Sequence, residues 1–163
     1  TWAQLSAIME PTNHTRRIIG FDTFAGFPSV SKHDTAYPGM MKVDSQAEIE
    51  ACVKLYDQNR FVGHIPKVEL VKGDATKTIP QYIQDNPHLV VSLLYLDFDI
   101  YDPTAVAIQS LLNRMPQGAI IAFDELNMRE WPGETIAALL MLNLRTSKLE
   151  RCAFGSTISW AQL

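Results

Sequence analysis

The chain lacks several features that mark common classes of protein. Among its 163 residues there are only two cysteines, Cys52 and Cys152, and their separation is not that of a metal site. No apolar run approaches the roughly 20 residues of a membrane-spanning helix, and no secretory signal peptide is visible. We therefore expect a reduced, cytoplasmic protein with no membrane partner.

An excess of positive charge is also missing. The chain has 14 Lys and Arg residues against 18 Asp and Glu residues, a formal net charge of -4. A nucleic-acid surface needs a basic footprint, so we expect no nucleic-acid partner. Internal repeats and low-complexity segments are absent as well. With 47% hydrophobic residues, the chain is long enough for one sizeable core, and residues 1–163 are expected to form a single domain.

Helix-like and strand-like patterns alternate along the chain. Strands that are apolar on both faces are typical of a parallel sheet covered by helices on both sides, which predicts an α/β fold. Only Gly155 and Ser156 separate the last two strands, so these are expected to pair as an antiparallel hairpin. Helices are predicted at 2–9, 45–61, 78–84, 103–115 and 134–145, and strands at 17–22, 68–72, 89–96, 119–123, 149–154 and 157–163.

One segment, residues 24–43, has neither pattern. It contains Gly26, Pro28, Pro38 and Gly39, and it is too long for an ordinary connection between a strand and a helix. Two interpretations stay open, a lid over a site and a disordered insert. We favour the lid, and we take residues 24–62, which include the helix that follows, as the lid or insert segment.

Carboxylates follow two neighbouring predicted strands. Asp97 and Asp99 come directly after the strand at 89–96, and Asp124 and Glu125 follow the strand at 119–123. Because ligands in open α/β sheets bind outside the carboxyl ends of the strands, these acids are expected at one rim. Oxygen ligands suit Mg²⁺, Mn²⁺ or Ca²⁺. The pattern predicts a hard-cation site, with helix capping by some of these acids as the alternative.

Three further aspartates stand at strand or helix ends. Asp22 ends a strand, where an acid of a nucleotide-binding sheet accepts hydrogen bonds from ribose hydroxyls, although an ordinary loop aspartate is the alternative. Asp74, between Gly73 and Ala75, is a weaker signal for an adenine contact. Asp102 precedes a proline, and this pairing predicts that Asp102 is the N-cap of the helix at 103–115.

The order of four segments resembles the macrocin O-methyltransferase family. The most specific segment is Leu-Asp-x-Asp-x-Tyr-x-x-Thr at 96–104; the others lie at 17–28, 73–76 and 123–125, and the likeness extends over most of the chain from Trp2. The family consists of class I S-adenosylmethionine-dependent enzymes with a Rossmann-like sheet. Several of them methylate sugar hydroxyls with Mg²⁺. The resemblance implies the same cofactor and cation, a small-molecule acceptor such as a sugar, and a possible homo-oligomer.

The resemblance also implies a role for each matching residue. A metal would acidify the acceptor hydroxyl, a carboxylate would take the proton, and the oxygen would attack the methyl group. The implied general base is Asp99; the implied metal ligands are Asp97, Asp124 and Glu125; the implied cofactor contacts are Asp22, Thr23, Phe24, Asp74, Ala75 and Asp97.

The chain departs from the family pattern in three places. Phe98 stands where the family has glycine between the two aspartates, and Glu125 stands where aspartate is common. None of the eight glycines forms a Gly-x-Gly pair, and the family's Gly-rich loop precedes the helix with which this chain begins. We therefore expect the first strand and its Gly-rich loop to be absent from this chain. A domain that is incomplete in this way is expected to bind cofactor poorly.

Two rival interpretations remain open. A non-catalytic methyltransferase-like domain would explain Phe98 and the missing loop. An Asp-nucleophile phosphatase would use Asp97, but Tyr101 stands where that motif has Thr or Val, and the motif lies in mid-chain. The segment Trp131-Pro132-Gly133-Glu134 also has two interpretations, as a wall of the acceptor pocket or as a loop packed on the sheet.

Overall fold

The computed structural model describes residues 1–163 as alternating strands and helices. No helix combines the length and the apolar character needed to cross a bilayer. The helices are α1 (Trp2–Met9), α2 (Gln46–Gln58), α3 (Ala75–Asp85), α4 (Tyr101–Leu111) and α5 (Pro132–Met141); the strands are β1 (Ile18–Asp22), β2 (Val68–Lys72), β3 (Leu93–Leu96), β4 (Ile120–Phe123), β5 (Leu149–Arg151) and β6 (Ser159–Gln162).

The strands form two hydrogen-bonded groups. Strands β1 and β2 pair in parallel, and a second sheet has the order β3-β4-β6-β5. Within it β3 and β4 are parallel, whereas β6 is antiparallel to both β4 and β5. The predicted α/β fold with parallel strands and a C-terminal antiparallel pair is confirmed. No backbone ladder joins β1 to β3, and the predicted absence of the family's first strand stays a prediction.

The core lies between β3, β4 and the helices α3 and α4. Leu96 and Phe123 end their strands with fully buried side chains, and Ile79 of α3 and Ile108 of α4 are 1% exposed. Apolar residues on both faces of β3 and β4 require cover on both sides, which the helices supply. The last residues of both strands are therefore held rigidly, just before the acids that follow them.

Four helix starts differ from the sequence prediction: α2 begins one residue later, α5 begins two residues earlier, and α3 and α4 begin earlier for reasons that concern their caps. Helix α3 begins at Ala75 rather than at 78, because Asp74 is its N-cap and accepts the Thr76 N–H at 3.0 Å. The prediction that Asp102 caps α4 is wrong: the helix begins at Tyr101, and Asp102 lies inside its first turn. A carboxylate there still favours the positive end of the helix dipole, but it caps no backbone N–H.

The long segment before α2 contains no regular element, as predicted. Phe27 fastens its two halves: its N–H donates to the Met40 carbonyl at 3.0 Å, and its carbonyl accepts the Gly39 N–H at 2.8 Å. Gly26 has a φ of +82°, and a Cβ there would lie 2.5 Å from the Met40 oxygen. The segment thus has defined local structure, and its action as a lid stays a prediction.

We expect Ile108→Ala to lower the free energy of unfolding by about 2–5 kcal/mol, because it leaves a cavity between α4 and the sheet. The matched control is Leu139→Ala on α5, whose side chain is 61% exposed; it should change stability by less than about 0.5 kcal/mol. Denaturant unfolding checks both values. Equal losses for the two variants would contradict this description of the core.

Candidate functional site

A cavity of about 290 Å³ opens at the carboxyl ends of β1, β2 and β3. Its far wall comes from the segment before α2, through residues that include Phe27, Met41 and Val43. A larger and more open groove of about 790 Å³ lies between α2 and β2, but none of the predicted catalytic, cofactor-binding or metal-binding residues lines it. Six of the predicted cofactor and catalytic residues line the smaller cavity: Asp22, Thr23, Asp74, Ala75, Asp97 and Asp99.

Three carboxylates converge beside this cavity. Asp97, Asp99 and Glu125 each offer an oxygen within 4.8 Å of the others. Asp97 is open to solvent, while Glu125 is only 8% exposed, and its buried Oε2 has no hydrogen-bond partner. Uncompensated buried carboxylate oxygens are costly, and an all-oxygen donor set suits a hard divalent cation. The residues present therefore fit a metal of the predicted kind.

Asp124, the remaining predicted ligand, is turned toward a different partner. Its Oδ1 accepts a hydrogen bond from the Tyr95 hydroxyl at 2.5 Å. Burial, together with this bond, raises the pKa of Tyr95 and keeps the phenol protonated as a donor. Asp124 is therefore adjacent to the three-carboxylate cluster, and its charge acts on Asp97, but the structure does not bring its oxygens into that cluster.

Crowding of the acids changes their proton affinity. Although Asp97 is exposed as a residue, the surrounding protein displaces water from its carboxylate and raises its pKa to about 6, with further contributions from the charges of Asp124, Asp99 and Asp22. Burial also raises the pKa of Asp99, although its interaction with the neighbouring Glu125 carboxyl opposes the change. The pKa of Glu125 is raised by burial and by its acidic neighbours. All three groups thus favour the protonated form more than isolated carboxyls do.

Sequence reasoning missed Glu134 as part of the site. Its side chain is fully buried, and its Oε1 accepts the Glu125 N–H at 3.0 Å. Burial raises the pKa of Glu134 to about 8, and its Oε2 has no partner. One signal was present: in a helical period Glu134 shares a face with Ala137 and Ala138, which are both buried. An acid on an apolar helix face requires a reason.

The chain turns sharply between β3 and α4, where Asp99 lies. Asp99 has a φ of +61°, a left-handed conformation that is uncommon for a residue other than glycine. The Ile100 N–H donates to the Phe98 carbonyl at 2.6 Å across the same turn. Backbone strain of this kind persists where the surrounding structure enforces it, and it is common at functional sites.

The two aspartates on the cofactor side are partly engaged in local turns. Asp22 Oδ1 accepts the Phe24 N–H at 2.6 Å. Asp74 accepts hydrogen bonds from the Thr76 N–H and hydroxyl; although burial raises the pKa of Asp74, these bonds and Lys77 lower it overall. Phe24 is 6% exposed and does not line the cavity. The structure thus assembles Asp22 and Asp74 at the cavity but keeps Phe24 outside it.

The raised pKa of Asp97 predicts how stability depends on pH without metal. The folded state holds more protons than the unfolded chain between about pH 4 and 6, so stability falls as pH rises through this range. Asp99, Glu125 and Glu134, whose pKa values are also raised, contribute to this fall. We expect Asp97→Asn to reduce the fall and to stabilise the protein at pH 8 by about 1 kcal/mol, after allowance for solvent screening in the open cavity. Urea unfolding at pH 4, 6 and 8 in the presence of a chelator measures the effect.

The control for this prediction is Asp44→Asn. Asp44 is exposed and lies outside the cavity, so this variant should keep the pH dependence of the unaltered chain. A fall of stability between pH 4 and 6 that is the same in Asp97→Asn as in the control would show that Asp97 does not carry the effect.

Comparison with known proteins assigns the chain to a family. Residues 4–138 match the family model described as macrocin-O-methyltransferase (TylF). The crystal structure of CalS11, a calicheamicin methyltransferase, superposes with a TM-score of 0.92 at 34% identity over 99% of this chain. The apo structure of CalS11, described as a TDP-rhamnose 3'-O-methyltransferase, gives 0.83 at 34% identity over 99% of this chain. No curated protein sequence matches.

A third structure, the O-methyltransferase NovP, superposes with a TM-score of 0.71 over 96% of this chain and 63% of its own; at 17% identity it supports the fold alone. The chain spans 65% and 64% of the lengths of the two CalS11 chains. The match to the family model covers most of the chain, and the CalS11 likeness covers nearly all of it. The chain therefore belongs to the macrocin O-methyltransferase (TylF) family.

Proposed function

We propose that the chain carries two parts of the active site of an S-adenosylmethionine-dependent O-methyltransferase: the residues that bind the methyl acceptor and those that bind the nucleoside of the cofactor. The acceptor class is a hydroxyl of a sugar or a related small molecule, and a divalent cation, Mg²⁺ in the first instance, assists the reaction. The observation that carries the proposal is the convergence of Asp97, Asp99 and Glu125 beside the cavity that Asp22 and Asp74 line. The described activity of CalS11 on TDP-rhamnose supports the choice of a sugar.

The cofactor would lie along the ends of β1 and β2. Asp22 Oδ2 makes no hydrogen bond within the chain, so it can accept one from a ribose hydroxyl while Oδ1 stays on the Phe24 N–H. Thr23, Asp74 and Ala75 line the same cavity and would contact the nucleoside. When bound, S-adenosylmethionine supplies a methyl group on a positively charged sulfur. Asp97 faces the cavity and would add a negative charge there.

The cation would be held by the acids after β3 and β4. Asp97 and Glu125 belong both to the family-implied ligand set and to the cluster in this structure. Asp124 would join them through its second oxygen, because Tyr95 engages only Oδ1. A bound divalent cation supplies charge that favours the ionised form of an acceptor hydroxyl. The same charge would offset the burial and the repulsion that raise the pKa values of these carboxyls.

Asp99 is the proposed general base. Its carboxylate lines the cavity, and burial raises its pKa above that of an ordinary aspartate, which makes it a stronger proton acceptor. Asp99 would accept the proton that the acceptor hydroxyl loses as the hydroxyl oxygen attacks the methyl carbon. The strained turn at Asp99 fixes its backbone between β3 and α4. These features favour proton transfer at one defined position.

The direct test is methyl transfer by the natural full-length protein to a panel of sugar nucleotides and glycosides, with and without a chelator. We expect transfer that the chelator abolishes and Mg²⁺ restores. Methylated product would be measured by mass spectrometry. Transfer that a chelator leaves unchanged would contradict the metal assignment, and no transfer to any hydroxyl acceptor would contradict the proposed function.

A second prediction concerns the base. Asp99→Asn should lower kcat by roughly 10²–10⁴-fold, because the amide cannot accept the proton at neutral pH. The matched control is Asp85→Asn, at the exposed end of α3, which should keep kcat within a factor of about two, as for other surface substitutions. A kcat for Asp99→Asn equal to that of the control would remove Asp99 from the mechanism.

A further inference from the structure

Asp34, in the segment of residues 23–45 between β1 and α2, makes a contact that sequence reasoning did not foresee. Its Oδ1 accepts the Tyr101 N–H at 2.8 Å, across a separation of 67 residues. Tyr101 is the first residue of α4, and the N-cap residue Ile100 offers no side-chain cap. The Asp34 carboxylate therefore supplies the missing cap from a distant part of the chain, at the positive end of the helix dipole.

The same carboxylate is fixed from its other side. Asp34 Oδ2 accepts hydrogen bonds from the Ser31 N–H and the Ser31 hydroxyl, each at 2.8 Å. The His33 N–H donates to the Ser31 oxygen at 3.0 Å, and the His33 ring lies 4.6 Å from the Tyr101 ring between centroids. Asp34 is thus held in a tight local turn, so its position at α4 does not depend on a flexible side chain alone.

Two more contacts join the same segment to the loop after β4. The Thr35 hydroxyl donates to the Glu130 carbonyl at 2.5 Å. The Phe27 and Trp131 rings meet edge to face at 6.2 Å. Segment 23–45 therefore touches the chain two residues after Asp99, and it also touches the loop that follows Glu125, five and six residues further along.

Gly133 makes this approach possible. A Cβ at Gly133 would lie 2.1 Å from Asp34 Oδ1 and 2.5 Å from the Tyr101 nitrogen. Both distances lie below 3.0 Å, a separation that real Cβ atoms essentially never show from non-bonded atoms. Any side chain at position 133 would separate Asp34 from the helix end. The close packing of Asp34, Tyr101 and Gly133 is therefore specific to this combination of residues.

We infer that Asp34 is a positioning residue that fastens segment 23–45 over the acidic end of the sheet. Asp34 accepts the Tyr101 N–H and so holds the chain on the C-terminal side of the strained turn at Asp99. On the N-terminal side, Leu96 of β3 holds the same turn. By holding the segment it also keeps Met41 and Val43 in the cavity wall. The inference rests on the proposed function only for the role of Asp99 in methyl transfer.

Limited trypsin digestion of the natural full-length protein tests the fastening itself. Segment 23–45 contains two cleavable residues, Lys32 and Lys42. Lys148, just before β5, has a side chain that is 86% exposed and serves as an internal reference. We expect Asp34→Ala to speed cleavage at Lys32 and Lys42 by roughly tenfold or more, the factor that corresponds to the loss of a hydrogen bond to a charged group. Cleavage at Lys148 should not change.

Three companion variants sharpen the test. Gly133→Ala keeps the carboxylate but blocks its approach, so it should also speed cleavage at Lys32 and Lys42. Asp34→Asn keeps one acceptor oxygen without the charge, so its cleavage rate should fall between those of the unaltered chain and Asp34→Ala. Asp44→Ala removes an exposed carboxylate two residues after Lys42, as Asp34 is two residues after Lys32, so it measures the direct effect of such a charge on trypsin and should speed cleavage far less than Asp34→Ala does. Equal cleavage rates in Asp34→Ala and Asp44→Ala would overturn the inference.

Steady-state kinetics test the positioning of Asp99. Asp34→Ala should lower kcat by about tenfold or more. The affinity for S-adenosylmethionine should fall by a smaller factor, because Asp22 and Asp74 stay at the ends of β1 and β2 while part of the cavity wall is released. Faster cleavage with an unchanged kcat would overturn the positioning role. If the unaltered protein transfers no methyl group, the proposed function fails, and the cleavage rates still decide whether Asp34 fastens the segment.

Discussion

Repulsion between carboxylates at the ends of two adjacent strands is the constraint on which the site depends. Two unit charges about 5 Å apart, close to the 4.8 Å limit within which Asp97, Asp99 and Glu125 lie, repel each other by roughly 3 kcal/mol at an effective dielectric constant near 20. Their burial and mutual repulsion raise the pKa values of these groups, so that protonation removes part of the charge. The Tyr95 hydroxyl also stabilises the neighbouring Asp124 by donating a hydrogen bond to it. A bound divalent cation would relieve it further. Carboxyl groups with pKa values perturbed in this way are concentrated at functional sites, so the repulsive cluster itself indicates a functional site.

Register between the two strands explains why the acids meet. Leu96 of β3 lies opposite Phe123 of β4 in a parallel ladder, and the Asp124 N–H donates to the Leu96 carbonyl at 3.1 Å. The residue after each strand is therefore at the same level. Because Leu94 and Leu96 of β3 and Ile121 and Phe123 of β4 are buried, neither strand can shift along the other without exposing apolar side chains. The hydrophobic core thus determines the spacing of the charges, and the turns into α4 and the loop before α5 carry Asp99 and Glu125 inward.

Local patterns in the sequence were enough to predict the strands, most helices and the acidic strand ends. Apolar runs that stop at a charged residue are visible in one dimension, and the parallel arrangement follows from the alternation with helices. The wrong prediction at Asp102 shows the limit of this reasoning. Asp102 has the local signature of an N-cap, but the helix starts one residue earlier and takes its cap from Asp34, 67 residues away. A contact over that distance depends on the whole fold. Glu134 was missed for a related reason, because an acid in the first turn of a helix is usually a favourable surface residue, and only the tertiary structure buries this one.

The central claim is that the acids after β3 and β4 form one divalent-cation site beside the cofactor cavity. The most direct measurement is a crystal structure of the natural full-length protein grown with Mn²⁺ and S-adenosylmethionine, with anomalous data collected at the manganese edge. The account predicts a single strong anomalous peak within coordination distance of Asp97 and Glu125, at about 2.0–2.6 Å from their oxygens. Two results would contradict the account. One is a fully occupied cofactor with no anomalous peak between these carboxylates, and the other is a manganese ion bound only at another place in the protein.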